Sequence, residues 1–375
     1  MAHVLFISDE YPSYYCENGK TVRELAQGVA SAGHQIGVIA PHINKLKSIK
    51  SIRLLRQLGR ANNRMDEMLP VYSSEGLSFL PGKKIELFLF KRYLNFLLNK
   101  YIVFHGKPDV VHIHHKNLSL HAAKNLCNLY QLPFIISVYP DETTIELSLG
   151  RTEINPDITI VPHPVFLTNQ LSNSTVLFSP VNLKYSYDPA WTISSKLIYL
   201  CGNNISDNLC SSLEIVMIRF PELQIVVDTP ELKNTICSKF SWEKLAERIT
   251  FFSETVEILY MANLVICLVP KFGDLIQLKQ ALIAGKPVLT YDNVWTRPLI
   301  NKDNGRLFNL HEPESLAKGV AEITRNTGSF NFSLISQNAL HLFGEIEVIN
   351  LLLSKYRYVV NHQRTSVKVV QKSKL

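Results

Sequence analysis

Residues 272–289, FGDLIQLKQALIAGKPVL, decide the fold. The second half, QALIAGKPVL, reads as the end of a helix, a tight Ala-Gly turn and then a buried strand. Gly285 stands where a helix C-cap favours a residue that accepts positive φ, and Pro287 stops the helix from continuing. The first half supplies a loop and a helix start, with Asp274 as the expected N-cap. Before it, LVICLVP (264–270) is short and continuously apolar, the pattern of a strand buried on both faces. The unit is therefore strand, loop, helix, strand. A helix opening from a glycine-containing loop at the carboxyl end of a strand favours an anionic ligand. An ordinary βαβ crossover that binds nothing fits the same residues.

The same alternation runs outward in both directions. HVLFIS (3–8) is a first buried strand, followed by a loop holding Gly19, the helix VRELAQGVASAGH and the strand QIGVIAP. A second amphipathic helix, IELFLFKRYLNFLLNKYIVF, precedes the strand PDVVHIHH, which ends in a histidine cluster. Helix LSLHAAKNLCNLYQL and the strands PFIISVYP and PDITIVP follow. KYSYDPAWTISS (184–195) is polar, aromatic and irregular, and marks a linker. KLIYLCG restarts the alternation, ending at Gly202. The expected class is α/β, doubly wound, with domains at 1–183 and 196–345 and a C-terminal helix and basic tail at 346–375.

A chain of 375 residues exceeds one ordinary α/β core, and 46% apolar with 19% charged residues excludes a disordered protein. The six cysteines are scattered with no C-x-x-C pair, which suits a reducing compartment and argues against structural zinc. The N-terminus has neither a basic segment nor a long apolar one, and no apolar run reaches membrane-spanning length, so a cytoplasmic protein is expected. The net charge of +7 is uneven. Between residues 43 and 64, Lys45, Lys47, Lys50, Arg53 and Arg56 interleave with apolar residues at mostly three-residue steps, a pattern compatible with a basic amphipathic helix. Such a helix suits an anionic membrane surface on the inner face of the membrane, or equally a solvated face whose apolar side packs on the domain. No nucleic-acid motif accompanies the charge, so no nucleic-acid partner is expected.

In order and spacing, several of these segments resemble the retaining family 4 glycosyltransferases of the GT-B fold, over nearly the whole chain. The matching pieces are VRELAQGVASAGHQIGVIAP, PDVVHIHH with PFIISVYPDE, PDITIVP with VLFSPVNL, ITFFSETVEILYMANLVICLVPK, ALIAGKPVLTYDN and NKDNGRLFNLHEPESLAKGVAEI. The resemblance implies two Rossmann-like domains facing an interdomain cleft, with a nucleotide-sugar donor held mainly by the C-terminal one and a glycan or lipid-linked acceptor against the N-terminal one. It implies no cofactor and no metal, since the donor is a substrate and no paired carboxylates are found to hold an ion. Stabilising the departing diphosphate is the main chemical task, and holding donor and acceptor in line is the second. Gly19 matches the glycine that lets phosphates approach the first loop. His114 stands where relatives touch the transferred sugar, and a strand-end histidine satisfied by the backbone is the plainer alternative.

The chain departs from the pattern at two places. The glutamate pair falls on Phe272 and Gln280, within a loop that also holds Gly273 and Asp274. Gln280 keeps an acceptor oxygen without the charge, whereas Phe272 keeps neither. After Gly202, the arginine and lysine that clamp the diphosphate are replaced by Asn203 and Asn208. Lys271 and Arg297, in neighbouring loops, are the candidate replacements. Two readings follow: a divergent glycosyltransferase of cell-surface polysaccharide synthesis, and a catalytically weakened GT-B protein that binds a glycan or supports a partner enzyme.

Overall fold

The computed structural model describes residues 1–8, 11, 17–45, 61–78, 83–115, 119–139, 156–167, 173–191, 193–202, 205–240, 243–325 and 330–372. The chain divides into two compact units, Met1–Pro180 with Val348–Leu375, and Val181–Glu347.

The first unit contains β1 (His3–Ser8), α1 (Glu17–Ser31), β2 (Gln35–Lys45), β3 (Ala61–Asp66), β4 (Leu69–Ser78), α2 (Lys83–His105), β5 (Val110–His115), α3 (Ser119–Leu129), β6 (Phe134–Val138), β7 (Ile158–Val161) and β8 (Ser174–Val176). They form a sheet in the order β3-β4-β2-β1-β5-β6-β7-β8, parallel except for the β3–β4 pair. Because helices cover both faces, the central strands are buried and mostly apolar, with His112 and His114 of β5 as buried polar exceptions. Along β1, Leu5 and Ile7 pack with Leu94, Leu97 and Leu98 of α2, while Val4 and Phe6 pack with Val22 and Leu25 of α1.

The second unit contains β9 (Ser194–Cys201), α4 (Asp207–Arg219), β10 (Gln224–Val227), α5 (Pro230–Lys239), α6 (Glu243–Ala246), β11 (Ile249–Phe251), α7 (Thr255–Met261), β12 (Ala262–Cys267), α8 (Leu275–Ile283), β13 (Val288–Tyr291), β14 (Gly305–Phe308), α9 (Pro313–Arg325) and α10 (Phe332–Phe343). Its sheet is wholly parallel in the order β11-β10-β9-β12-β13-β14, so chain direction across the sheet reverses between β9 and β12. The last helix, α11 (Glu345–Lys372), gives Val348, Ile349, Leu352, Leu353, Tyr356 and Val359 to the core of the first unit. Ile349 lies so close to Gly28 of α1 that a β-carbon there would meet its side chain at 2.5 Å.

The segment read first folds as expected, with one change. Gly285 has φ +75 and closes α8, its amide donating to the Leu282 carbonyl while the Lys286 amide donates to that of Ala281. The buried Lys286 ammonium, 1% exposed, donates to the Tyr260 carbonyl at 2.7 Å and thereby ties off the last turn of α7. Burial lowers its pKa to about 8. Asp274 precedes α8 but makes no side-chain cap, because the one-turn 3-10 helix Phe272–Asp274 leads into α8 with Asp274 itself in helical conformation.

Two other expectations change. Gly19 lies buried in the first turn of α1, which begins at Glu17, earlier than the loop reading allowed. A helix over 43–64 does not form as a unit: Ile43 to Lys45 extend β2, and residues 61–64 belong to β3. Backbone pairing along β4 outweighs a local amphipathic period. Lys47, Lys50, Arg53 and Arg56 lie outside the described residues.

Candidate active site

Strand β5 alternates, so Val111 and Ile113 face the α2 and α3 side while His112 and His114 face the other. His112 is fully buried: its Nδ1 bonds the Tyr356 hydroxyl at 2.7 Å and its Nε2 the Ser137 hydroxyl at 2.8 Å. His114, 2% exposed, bonds the Tyr139 hydroxyl through Nδ1 at 2.8 Å. Its ring lies 4.0 Å from that of His112 and 4.6 Å from that of Phe6, centroid to centroid. Among the described residues its Nε2 has no hydrogen-bond partner.

Burial lowers the pKa of His112 to about 3. Burial, with His112 beside it, also holds His114 well below the ordinary imidazole value. Both rings are neutral at pH 7. A neutral His114 is suited to holding a hydroxyl rather than to donating a full proton, and its orphan Nε2 is a costly group for a core to keep. Ser8 of β1 pairs in register with His114 of β5, and α1 with Gly19 follows β1. Gly19 and His114 therefore belong to the same carboxyl edge of the first sheet.

The carboxyl edge of the second sheet carries the other candidates. At the reversal between β9 and β12, Gly202 has φ +112, and a β-carbon there would sit 2.7 Å from the Leu268 carbonyl oxygen. Only glycine permits this approach, so the two loops leave their strands in contact. The Leu268 amide donates to the Cys201 carbonyl at 2.9 Å, and beneath it Cys201 and Cys267 meet at 3.5 Å between sulfurs. Ser206 caps α4 by accepting from the Leu209 amide, which sets a helix N-terminus at this crevice.

The loop after β12 holds exposed Lys271 and half-buried Phe272, Gly273 and Asp274. Phe272, in the place of a carboxylate, meets Trp295 edge-on at 5.6 Å. The Asn293 amide donates to the Val269 carbonyl at 2.7 Å, binding the loop after β13 to the loop after β12. In that loop Arg297 forks onto Asp292, with Nε and Nη2 at 2.5 and 3.2 Å from its two carboxylate oxygens. The pair is exposed, and Asp292 raises the arginine pKa further.

Gly202, Lys271, Phe272, Gly273, Asp274 and Arg297 are thus gathered at one edge. Gln280, half-buried, lies about 7 Å along α8 from its start, set back from that edge. Asn203 lies outside the described residues, and Asn208 is exposed on the first turn of α4. Sequence reading missed Tyr139, Ser137 and Tyr356 around the histidines, and Trp295, Asn293 and Asp292 around the loop after β12. The Arg297–Asp292 spacing of five residues was the one legible signal among them. Among the described residues, no group of three or more His, Cys, Asp or Glu is placed to hold a metal ion.

No family model matches the chain, and no curated protein matches it. Solved structures do. The lipopolysaccharide outer core galactosyltransferase WaaB, in its apo form, superimposes with a TM-score of 0.62 at 12% identity, over 94% of this chain and 99% of its own. Sucrose-phosphate synthase from Thermosynechococcus elongatus gives 0.59 at 14% identity, over 96% and 100%. The catalytic domain of starch synthase IV from Arabidopsis thaliana, bound to ADP and acarbose, gives 0.54 at 12%, over 96% and 99%. In architecture, two Rossmann-like units with parallel sheets, the chain has the GT-B fold of these glycosyltransferases.

Proposed function

We propose that the chain is a glycosyltransferase of the family 4 type that moves a sugar, with retention, from a nucleotide-sugar donor to a glycan or lipid-linked acceptor in cell-surface polysaccharide synthesis. The carrying observation is the reversal of strand order at β9 and β12, where Gly202 rests on Leu268 beside the capped start of α4. In open α/β sheets this is the place for a nucleotide, with phosphates on helix-start amides. The likeness to sucrose-phosphate synthase, a galactosyltransferase and an ADP-bound starch synthase supports the same reading.

In this reading the α4 amides hold the diphosphate, Lys271 and Arg297 supply positive charge, and Gln280 accepts from the ribose. His114 meets the transferred sugar through Nε2, and Gly19 leaves room for the acceptor. The site is expected to need no metal. A cytoplasmic protein is the expected setting.

One observation favours a weaker, glycan-binding role: Arg297, a proposed replacement for the clamp, is already held by Asp292. Thermal unfolding against a panel of nucleoside diphosphates and nucleotide sugars separates the two readings. A ligand that binds only the folded chain raises the midpoint by an amount set by its concentration over Kd. A rise with one nucleotide class is expected and identifies the donor base. No rise with any of them overturns the transferase reading.

A further inference from the structure

Helix α2 is apolar on two sides. Inward, Leu94, Leu97, Leu98 and Tyr101 are at most 1% exposed and fill the core below the first sheet. Outward, Phe88, Phe96 and Val103 are 64, 47 and 79% exposed. Together with exposed Arg92 and Asn99, they occupy a stripe of about 80° directly opposite the buried leucines, at 3.6 residues per turn. The cations Lys91 and Lys100 flank the stripe, and Phe104, 65% exposed, lies beyond Lys100 near the buried side. No acidic residue occurs between Leu87 and Pro108. The Tyr130 hydroxyl donates to Asn95 and Asn99 of α2.

Single exposed apolar residues are ordinary, but a row of large ones interleaved with cations on one helix is a binding face. We propose that the outward stripe of α2 lies on a bilayer surface bearing anionic headgroups, with its phenylalanines in the interface and Lys91, Arg92 and Lys100 against the lipid charge. No helix among the described residues is long and apolar enough to cross a membrane, so α2 lies on the surface and does not span it. A second copy of the chain is the poorer occupant, since a two-fold contact through this stripe would set these three cations against their own counterparts. On the transferase reading, this face narrows the acceptor to one carried by a lipid. The docking itself does not depend on that reading.

Flotation of the full chain with vesicles tests the proposal without any assay of catalysis. The chain is expected to float with vesicles containing phosphatidylglycerol, to stay behind with pure phosphatidylcholine, and to release at high salt. Combined Phe88→Ser, Phe96→Ser and Phe104→Ser is expected to lower the bound fraction about tenfold or more. Combined Lys91→Glu, Arg92→Glu and Lys100→Glu should do the same. All six side chains lie outside the core, so the thermal midpoint of each variant should match the parent. Flotation unchanged by both triple variants, absent with phosphatidylglycerol vesicles, or equal with the two lipids overturns the proposal. So does a concentration-dependent dimer that the phenylalanine variant dissolves.

Discussion

The carboxyl edges of the two sheets are built by opposite means. In the first unit the edge is anchored from below by buried polar side chains, with Tyr356, His112 and Ser137 in one hydrogen-bonded row and His114 and Tyr139 stacked beside it. In the second unit the edge is shaped by a glycine contact, an asparagine tie and an aromatic pair, and its charges sit exposed. Losing one member of a buried polar row leaves its partner unsatisfied, whereas exposed charges are exchanged at little cost to folding. On the transferase reading, that difference fits where the chain departs from the family 4 pattern it resembles: the histidine strand is kept, and the charged residues expected in the loop after β12 are replaced.

The largest expected effect exposes the first edge to acid. Unfolded imidazoles take up protons near 6.5 while the buried pair stays neutral, His112 down to about 3. The unfolded chain therefore binds more protons in that window, and stability is full above it and falls as pH drops through it. Denaturant unfolding at pH 5 should show roughly 2 kcal/mol less stability from His112 than at pH 7, with a further loss in the same direction from His114. His112→Gln should remove about half of that slope, and an unchanged slope would break the contrast.

Next in size, Gly202→Ala should cost about 2–3 kcal/mol, since it adds both a strained backbone and a clash with Leu268. A midpoint within one degree of the parent would mean that the two loops separate easily. Tyr356→Phe should cost about 1–2 kcal/mol by leaving His112 Nδ1 unsatisfied. The smallest effect sharpens the second edge: Asp292→Ala should change stability by no more than about 0.5 kcal/mol. It should also tighten nucleoside diphosphate binding a few-fold by calorimetry, and Arg297→Ala should weaken it. Equal affinity in both variants would remove Arg297 from the donor site.

Much of the fold was legible because the second unit obeys local rules. Gly285 and Pro287 stop a helix by their own backbone chemistry, and the strands between helices are apolar on both faces. The β3–β4 hairpin was not legible: ANNRMD lacks alternation, and its turn holds Glu67 at φ +56 where glycine or asparagine would have been the signal. The site was legible in outline only. Gly202 and His114 were named from their places at strand ends, but the group that orients His112 lies 244 residues further along the chain, beyond any pattern of spacing. The role of Lys286 was likewise hidden, since a lysine in the turn after α8 gives no sign that its ammonium closes α7.

The docking of Ile349 against Gly28 has a consequence for synthesis on the ribosome. The first unit lacks Val348, Ile349, Leu352, Leu353 and Tyr356 until the last helix emerges, whereas the second unit is one uninterrupted segment. At translation rates of roughly 5–20 residues per second, residues 181 to 347 keep the first unit waiting for about 10–30 s. The segment made first is thus the last to complete its core, and the one made second is free to finish ahead of it. A nascent chain arrested before residue 348 should present the slot around Gly28 to chaperones, and release of the final helix should close it.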